Sequence, residues 1–292
     1  MPGNVAIALA LLLSAVVAAP AAADAVVEVL QAPAWLARDG KRLPLAAGAE
    51  LRAGDQVLTG GESRAQLKLA DGSRVKLGEN GSLRLETLSV RREGARLLRA
   101  TLRVLEGAFR LTTDAASRSR YRREIDVQFT TVTAGIRGTD IWGRNFGDRE
   151  VVALLEGSVT ISRGADQALE LKEAGTYYQA PAGGEPSVQT LPPERLEEWA
   201  QQTEIRAGGG AQSRTGSWNL DVARFDGQDG ALALYDRLRD DGYPARIRPV
   251  REGARNLYIV RLEGFATRVE ARALGDRLRQ AYPGVSPAAS RR

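Results

Sequence analysis

At 292 residues the chain has room for two modest domains. Its 41 Lys and Arg against 36 Asp and Glu leave a formal charge of +5, and 43% hydrophobic residues is ordinary for a folded protein. It contains neither Cys nor His, which excludes disulfides, thiolate nucleophiles, Cys-ligated metals and Ser-His-Asp triads, so a carboxylate-only enzyme is the catalytic class left and the balance moves toward a binding or scaffold protein.

Residues 1–25 read as a secretory signal peptide. Val5 to Ala19 is an almost unbroken apolar run, too short to span a bilayer comfortably, followed by Pro20 and the small residues Ala21-Ala22-Ala23. Cleavage is expected near Ala23 or Ala25, with the mature protein in the periplasm. Met1 to Asn4 carries no Lys or Arg, so a retained N-terminal anchor is the alternative. With only four lysines (Lys41, Lys68, Lys76 and Lys172), 37 of the 41 cations are Arg. Arg suits bidentate contact with carboxylate or phosphate. For an exported chain the matching anions are envelope polymers and surfaces, not nucleic acid.

Residues 26–190 read as an all-β domain. Ala65 to Leu69 alternates with period two, Asp71-Gly72 supplies a tight turn, Arg74 to Leu77 resumes the alternation, and Leu83 to Leu85 repeats it after Asn80-Gly81. Such runs separated by Asp-Gly and Asn-Gly are strong hairpin signals, because those residues tolerate positive φ. Further short strands are expected at 100–104, 108–111, 125–131, 141–144, 151–155 and 159–162. The basic run Arg118 to Arg123 reads either as a solvated loop or as an anion-contacting one. Pro192 to Trp199 then opens a helix, placed at 191–205, with Pro and acidic residues in its first turn. Residues 206–216, rich in Gly, are expected to form a flexible linker with few ordered contacts.

Residues 217–285 change character. Trp218 to Phe225 alternates as a strand. Ala231, Leu234, Tyr235 and Leu238 fall at helical spacing, and Gly242 sits where a helix ends. Ala245 to Val250 and Leu257 to Leu262 are two more strands, and Ala266 to Ala281 a second helix. This is a small α+β arrangement; residues 286–292 are expected as a disordered tail.

Two family resemblances rest on these residues. Residues 26 to about 162 resemble the FecR domain, named for the periplasmic part of an iron-citrate signalling regulator. The matching pieces are the turn from Leu51 through Gly54-Asp55 to Thr59, the strand and turn from Ala65 to Asp71-Gly72-Ser73, the Thr130-Thr131 pair, Arg137-Gly138-Thr139-Asp140, and Leu155-Glu156-Gly157 with Val159. The resemblance implies twisted sheets or a solenoid-like sandwich. Gly54, Asp55, Asp71, Gly72, Arg137, Gly138, Thr139 and Gly157 are its structural motif, with Arg137 expected in a fold-holding network. Asp55, Asp71 and Asp140 lack calcium-loop spacing, and no metal or cofactor is expected.

Residues 217 to about 283 resemble the SPOR domain, a peptidoglycan-binding module of division and sporulation proteins. The carriers are Leu220, Val222 and Phe225 with Ala231, Leu234 and Leu238, then Tyr258 to Leu262 and Phe265 with Ala271, Leu274 and Leu278. The resemblance implies a four-stranded antiparallel sheet backed by two helices, with glycan bound across the open face at division sites. On that face alternation points Asp221, Ala223, Ile259 and Arg261 outward, joined by Arg246 and Arg248. Arg246, Arg248 and Arg261, with Trp218 and Tyr258 as aromatic contacts, are the candidate glycan-binding residues.

The expected protein is thus a non-enzymatic envelope protein that binds peptidoglycan through its C-terminal domain and presents the β domain to another envelope protein or ligand. Two alternatives are a periplasmic regulatory or signal-sensing interaction protein and a carboxylate-dependent peptidoglycan hydrolase. The hydrolase needs two facing acids at defined separation.

Overall fold

The computed structural model describes residues 24–91, 96–117 and 119–291. All but the last two positions of the expected signal peptide lie outside the described residues, as does Arg118 of the basic run. The alternating segments form β1 (Ala25–Gln31), β2 (Ala34–Arg38), β3 (Lys41–Pro44), β4 (Glu50–Leu51), β5 (Gln56–Thr59), β6 (Arg64–Leu69), β7 (Arg74–Leu77), β8 (Ser82–Arg91) and β9 (Arg96–Thr112). They continue as β10 (Tyr121–Gln128), β11 (Val132–Ile136), β12 (Asp140–Asn145), β13 (Arg149–Glu156), β14 (Val159–Arg163), β15 (Leu169–Leu171), β16 (Thr176–Pro181) and β17 (Ser187–Thr190).

A large, open and mostly antiparallel sheet dominates this region. One wing runs β17-β16-β13-β12-β9-β7-β6-β1. The other runs β3-β2-β5-β8-β9-β10-β11-β14-β15. Only the β9–β10 pair among these is parallel. Strand β9 belongs to both wings: Leu97 to Glu106 pairs with β8, and Gly107 to Thr112 with β12. The two short strands expected within 100–111 are therefore one 17-residue strand, bent where Gly107 takes φ +78°. Leu67, Leu77 and Phe109 from one wing meet Leu85, Leu102, Val127 and Ile161 from the other in one core. Burying each such side chain contributes about 1.5–3 kcal/mol.

The Asp71-Gly72 turn closes the β6–β7 hairpin as its chemistry predicts, with Gly72 at φ +88°. Asn80-Gly81 does not close a hairpin. It carries the chain from one wing to the other, because Thr59 captures it: the Thr59 hydroxyl donates to Gly78 O at 2.6 Å and accepts from Gly81 N at 2.8 Å.

Beyond the large sheet lies a smaller mixed α/β region. It contains α1 (Pro193–Gln201), β18 (Ala211–Ser213), β19 (Trp218–Phe225), α2 (Gln228–Asp240), β20 (Arg246–Glu252), β21 (Arg255–Phe265), α3 (Arg268–Ala281) and β22 (Ala288–Arg291). The two helices expected of the C-terminal domain are α2 and α3, and α1, which answers to the helix placed at 191–205, makes three in this region. Helix α1 does not join the other two. Its Trp199 stacks on Trp142 of β12 at 4.7 Å and meets Tyr177 of β16 edge-on at 5.4 Å, covering an apolar patch of the large sheet. Strands pair in the order β22-β19-β21-β20, all antiparallel. Leu220, Val222, Val260 and Leu262 on one sheet face pack against Ala231 and Leu238 of α2 and Ala271, Leu274 and Leu278 of α3.

Two segments expected to lack order have it. The tail supplies β22, whose backbone pairs with an edge of β19 that would otherwise stand bare. The Gly-rich segment supplies β18, which pairs with β1 of the large sheet and touches β21 at Gln212 opposite Phe265. Glu270, in the first turn of α3, accepts from the backbone N–H groups of Gly208, Gly210 and Ala211 at 2.8, 2.7 and 2.8 Å. Gln31 clasps Arg206 in both directions, donating to its carbonyl at 2.7 Å and accepting from its N–H at 3.0 Å.

Candidate functional site

The sheet of the C-terminal region is covered by helices on one face only, so alternate side chains stand on the open one. Registers bring Asp221, Arg261 and Arg246 into one row, and Arg224, Ile259 and Arg248 into the next. Arg246 and Arg261 are direct cross-strand neighbours, and like charges so placed repel. Asp221 relieves this: Arg261 Nε donates to Asp221 Oδ1 at 2.5 Å, and the two side chains are only 8% and 6% exposed. Arg224 stands 3.8 Å from the same carboxylate.

Arg246 differs sharply, being 74% exposed and 3.6 Å from Glu263. Arg248 is also exposed and, among the described residues, has no ion-pair partner.

The candidate residues therefore separate into three groups. Arg246 and Arg248 present exposed guanidinium groups on the open face, Arg246 loosely paired with Glu263. Arg261 lies on that face as expected, but its charge is committed to Asp221 beneath them. Trp218 and Tyr258 are on the helix side. Trp218 packs against the core with the Arg268 guanidinium 6.0 Å from its ring centre, and the Tyr258 hydroxyl accepts from Gln228 Nε2 at 3.0 Å. Ala223, expected outward, is displaced by a bulge between Asp221 and Ala223 that aligns it with the inward Val260, so Arg224 takes the outward place.

The motif residues of the large sheet hold backbone rather than ligand. Gly54, at φ +89°, donates its N–H to Leu85 O at 2.7 Å. Asp55 accepts Arg38 through Nε at 2.7 Å and Nη2 at 2.6 Å, and the Arg52 N–H at 2.8 Å. That carboxylate raises the Arg38 pKa. Asp71 accepts from both the N–H and the hydroxyl of Ser73 and from Arg123 Nε, which draws one residue of the basic run into the interior. Thr139 donates its hydroxyl to Ser158 O at 3.0 Å. Gly138 and Gly157 lie back to back, and a Cβ on Gly157 would stand 2.6 Å from Gly138 O. Arg137 corrects the expectation. It is exposed and enters no ion pair among the described residues, because the Gly138 turn directs it away from the buried Asp140. That carboxylate is held instead by Arg110, at 2.9 and 2.7 Å, and Arg110 and Lys76 both reach Glu204 beyond α1.

Sequence reasoning placed Asp221 on the open face and Arg123 in the basic run but gave neither its partner, and it assigned no role to Glu270 or Glu204. Each acts on a residue or segment at least 40 positions away, a distance at which no local spacing signals a pair.

Comparison with known families agrees with this architecture. The model described as FecR protein matches residues 55–160, and that described as SPOR domain matches residues 215–289. No curated protein sequence matches the chain. Two crystal structures of a candidate anti-sigma factor from Parabacteroides distasonis share 12% identity with it. They cover 70% and 69% of this chain and 98% and 96% of their own, at TM-scores of 0.39 and 0.40, too low to carry an argument. The chain carries an N-terminal FecR domain and a C-terminal SPOR domain. These modules make it a peptidoglycan-binding protein of the cell envelope.

Proposed function

We propose that the protein is exported to the periplasm, loses its signal peptide after Ala23, and grips glycan strands with Arg246 and Arg248 on the open SPOR sheet. Cleavage at Ala23 leaves Ala25 in place, where it is buried and paired with Leu51 and Leu69. The FecR domain, residues 26–190, is then carried on the cell wall and offers its surface to a further envelope component.

The observation that carries the reading is the pair of exposed guanidinium groups standing over the buried Arg261–Asp221 pair. That pair neutralises the centre of the sheet, which leaves Arg248, without an ion pair among the described residues, and the exposed Arg246, held by a 3.6 Å contact with Glu263, to meet carboxylates and acetamides. Exposed charged contacts weaken with salt. Sedimentation with purified sacculi tests this: Arg246→Ala with Arg248→Ala should lower retention at low salt while leaving the circular dichroism spectrum unchanged. Trp218→Ala should alter stability rather than retention. Parent-like retention of the double Arg variant sinks the proposal.

A further inference from the structure

Two adjoining hollows form a groove along the seam between the two domains. One trough, of about 880 Å³, lies beside β1 and is lined by Glu28, Gly48, Lys68, Arg74 and Arg214 among others. A second hollow, of about 200 Å³, is lined by Ala46, Arg214, Pro244, Arg246 and Glu263 among others. Ser213 and Arg214 border both. The Arg214 stem rests on Gly48, 3.2 Å from where a Cβ there would stand. Arg246 closes the second hollow and also stands on the SPOR face. Lys68, Arg214 and Arg246 thus follow one another along the two adjoining hollows, with Arg248 two residues beyond Arg246 on the same sheet face, and β18 pairs with both β1 and β21.

The charges along this path are unequal in their freedom. Glu28 is taken by Arg74 at 2.8 Å, and Glu263 faces Arg246 at 3.6 Å. Among the described residues Lys68 and Arg214 are exposed and have no ion pair; Glu50 is the one lining carboxylate in the same position. Arg214 and Lys68, the latter feeling Glu28 only at a distance, outnumber the one lining carboxylate without an ion pair, which favours a ligand with spaced carboxylates.

We propose that a glycan strand held on the SPOR sheet continues through this groove onto the FecR domain, its lactyl carboxylates meeting Arg214 and Lys68. The proposal rests on the reading of the SPOR face given above. It gives the FecR domain a share of the wall contact and makes the full chain prefer longer strands.

The test uses the full chain and purified glycan strands freed of stem peptides, in short and long fractions. The parent should bind long strands more tightly than short ones. Lys68→Ala with Arg214→Ala should lose that gain, about three- to tenfold for two exposed charged contacts, with affinity for short strands kept. Arg122→Ala with Arg137→Ala removes the same charge from another exposed part of the FecR domain and should change nothing. Arg246→Ala with Arg248→Ala should weaken both fractions. The seam proposal is overturned if the Lys68 and Arg214 variant binds long strands like the parent. It is also overturned if the control variant loses as much, or if the loss appears only with strands that retain stem peptides. A parent-like Arg246 and Arg248 variant would overturn the face reading, and the continuous strand with it.

Discussion

Glu270 ties the two domains together, and removing its carboxylate should uncouple them. Thr267 caps α3, its hydroxyl accepting the Glu270 N–H at 3.2 Å, a Thr-x-x-Glu arrangement in which the Glu ordinarily reaches back to its own cap. Here it reaches out to three backbone donors of the 208–211 segment. In Glu270→Ala, the donors of Gly210 and Ala211 are left in a buried setting, while that of Gly208 is partly reachable by water. Hydrogen bonds to a charged group contribute about 1.5–3 kcal/mol each; discounting Gly208, the loss should be about 3–6 kcal/mol. Urea unfolding followed by circular dichroism measures that loss. Amide hydrogen exchange locates it, with faster exchange expected at Gly208, Gly210, Ala211 and the β18 amides. Because β18 bridges β1 and β21, one unfolding transition in the parent should become two in the variant. A variant that loses less than about 0.5 kcal/mol and exchanges these amides at the parent rate would refute the reasoning.

Three other outcomes are expected. Arg261→Ala should destabilise the C-terminal region by about 3 kcal/mol, at the low end for a broken buried pair because Arg224 stands near Asp221; Arg261→Met with Asp221→Leu should recover most of it in denaturant titration. Trp199→Ala should cost about 2 kcal/mol, less than for a fully buried Trp because the ring is half-exposed, and should release α1 from Trp142 and Tyr177, seen as faster exchange across 193–201. Arg74 holds the Glu28 carboxyl below its ordinary value of 4.5, so Glu28 adds stability above that value and loses it as pH falls through the depressed one. The stability gap between parent and Glu28→Gln should therefore be open at neutral pH and close on acidification; a gap that widens in acid contradicts the assignment.

Much of the architecture is legible in the residues one after another. Period-two alternation with Asp71-Gly72 specifies the β6–β7 hairpin, because side-chain period and turn φ are local properties. The helical spacing of Ala231 with Leu238, and of Ala271 with Leu274 and Leu278, likewise specifies which faces of α2 and α3 are apolar. The division into two modules, and the outward phase of Arg246, Arg248 and Arg261, follow from the same patterns.

What the tertiary structure alone decided is which groups remain free. Arg261 and Arg248 read alike in sequence, yet one is consumed by Asp221 across the sheet and the other is exposed. Trp218 shares the parity of Leu220 and Val222 and so packs on the helix side, while the register shift at Gly264 of β21, which no local pattern signals, brings Phe265 opposite it. Residues 206–216 have the composition of a flexible linker, and their Gly residues do make the backbone pliant. Pliant backbone also bares its N–H groups, and three of them found Glu270 some 60 residues away. Local propensity acts within a few residues, whereas the pairing of charges and donors depends on which distant segments the fold brings within about 3 Å of one another.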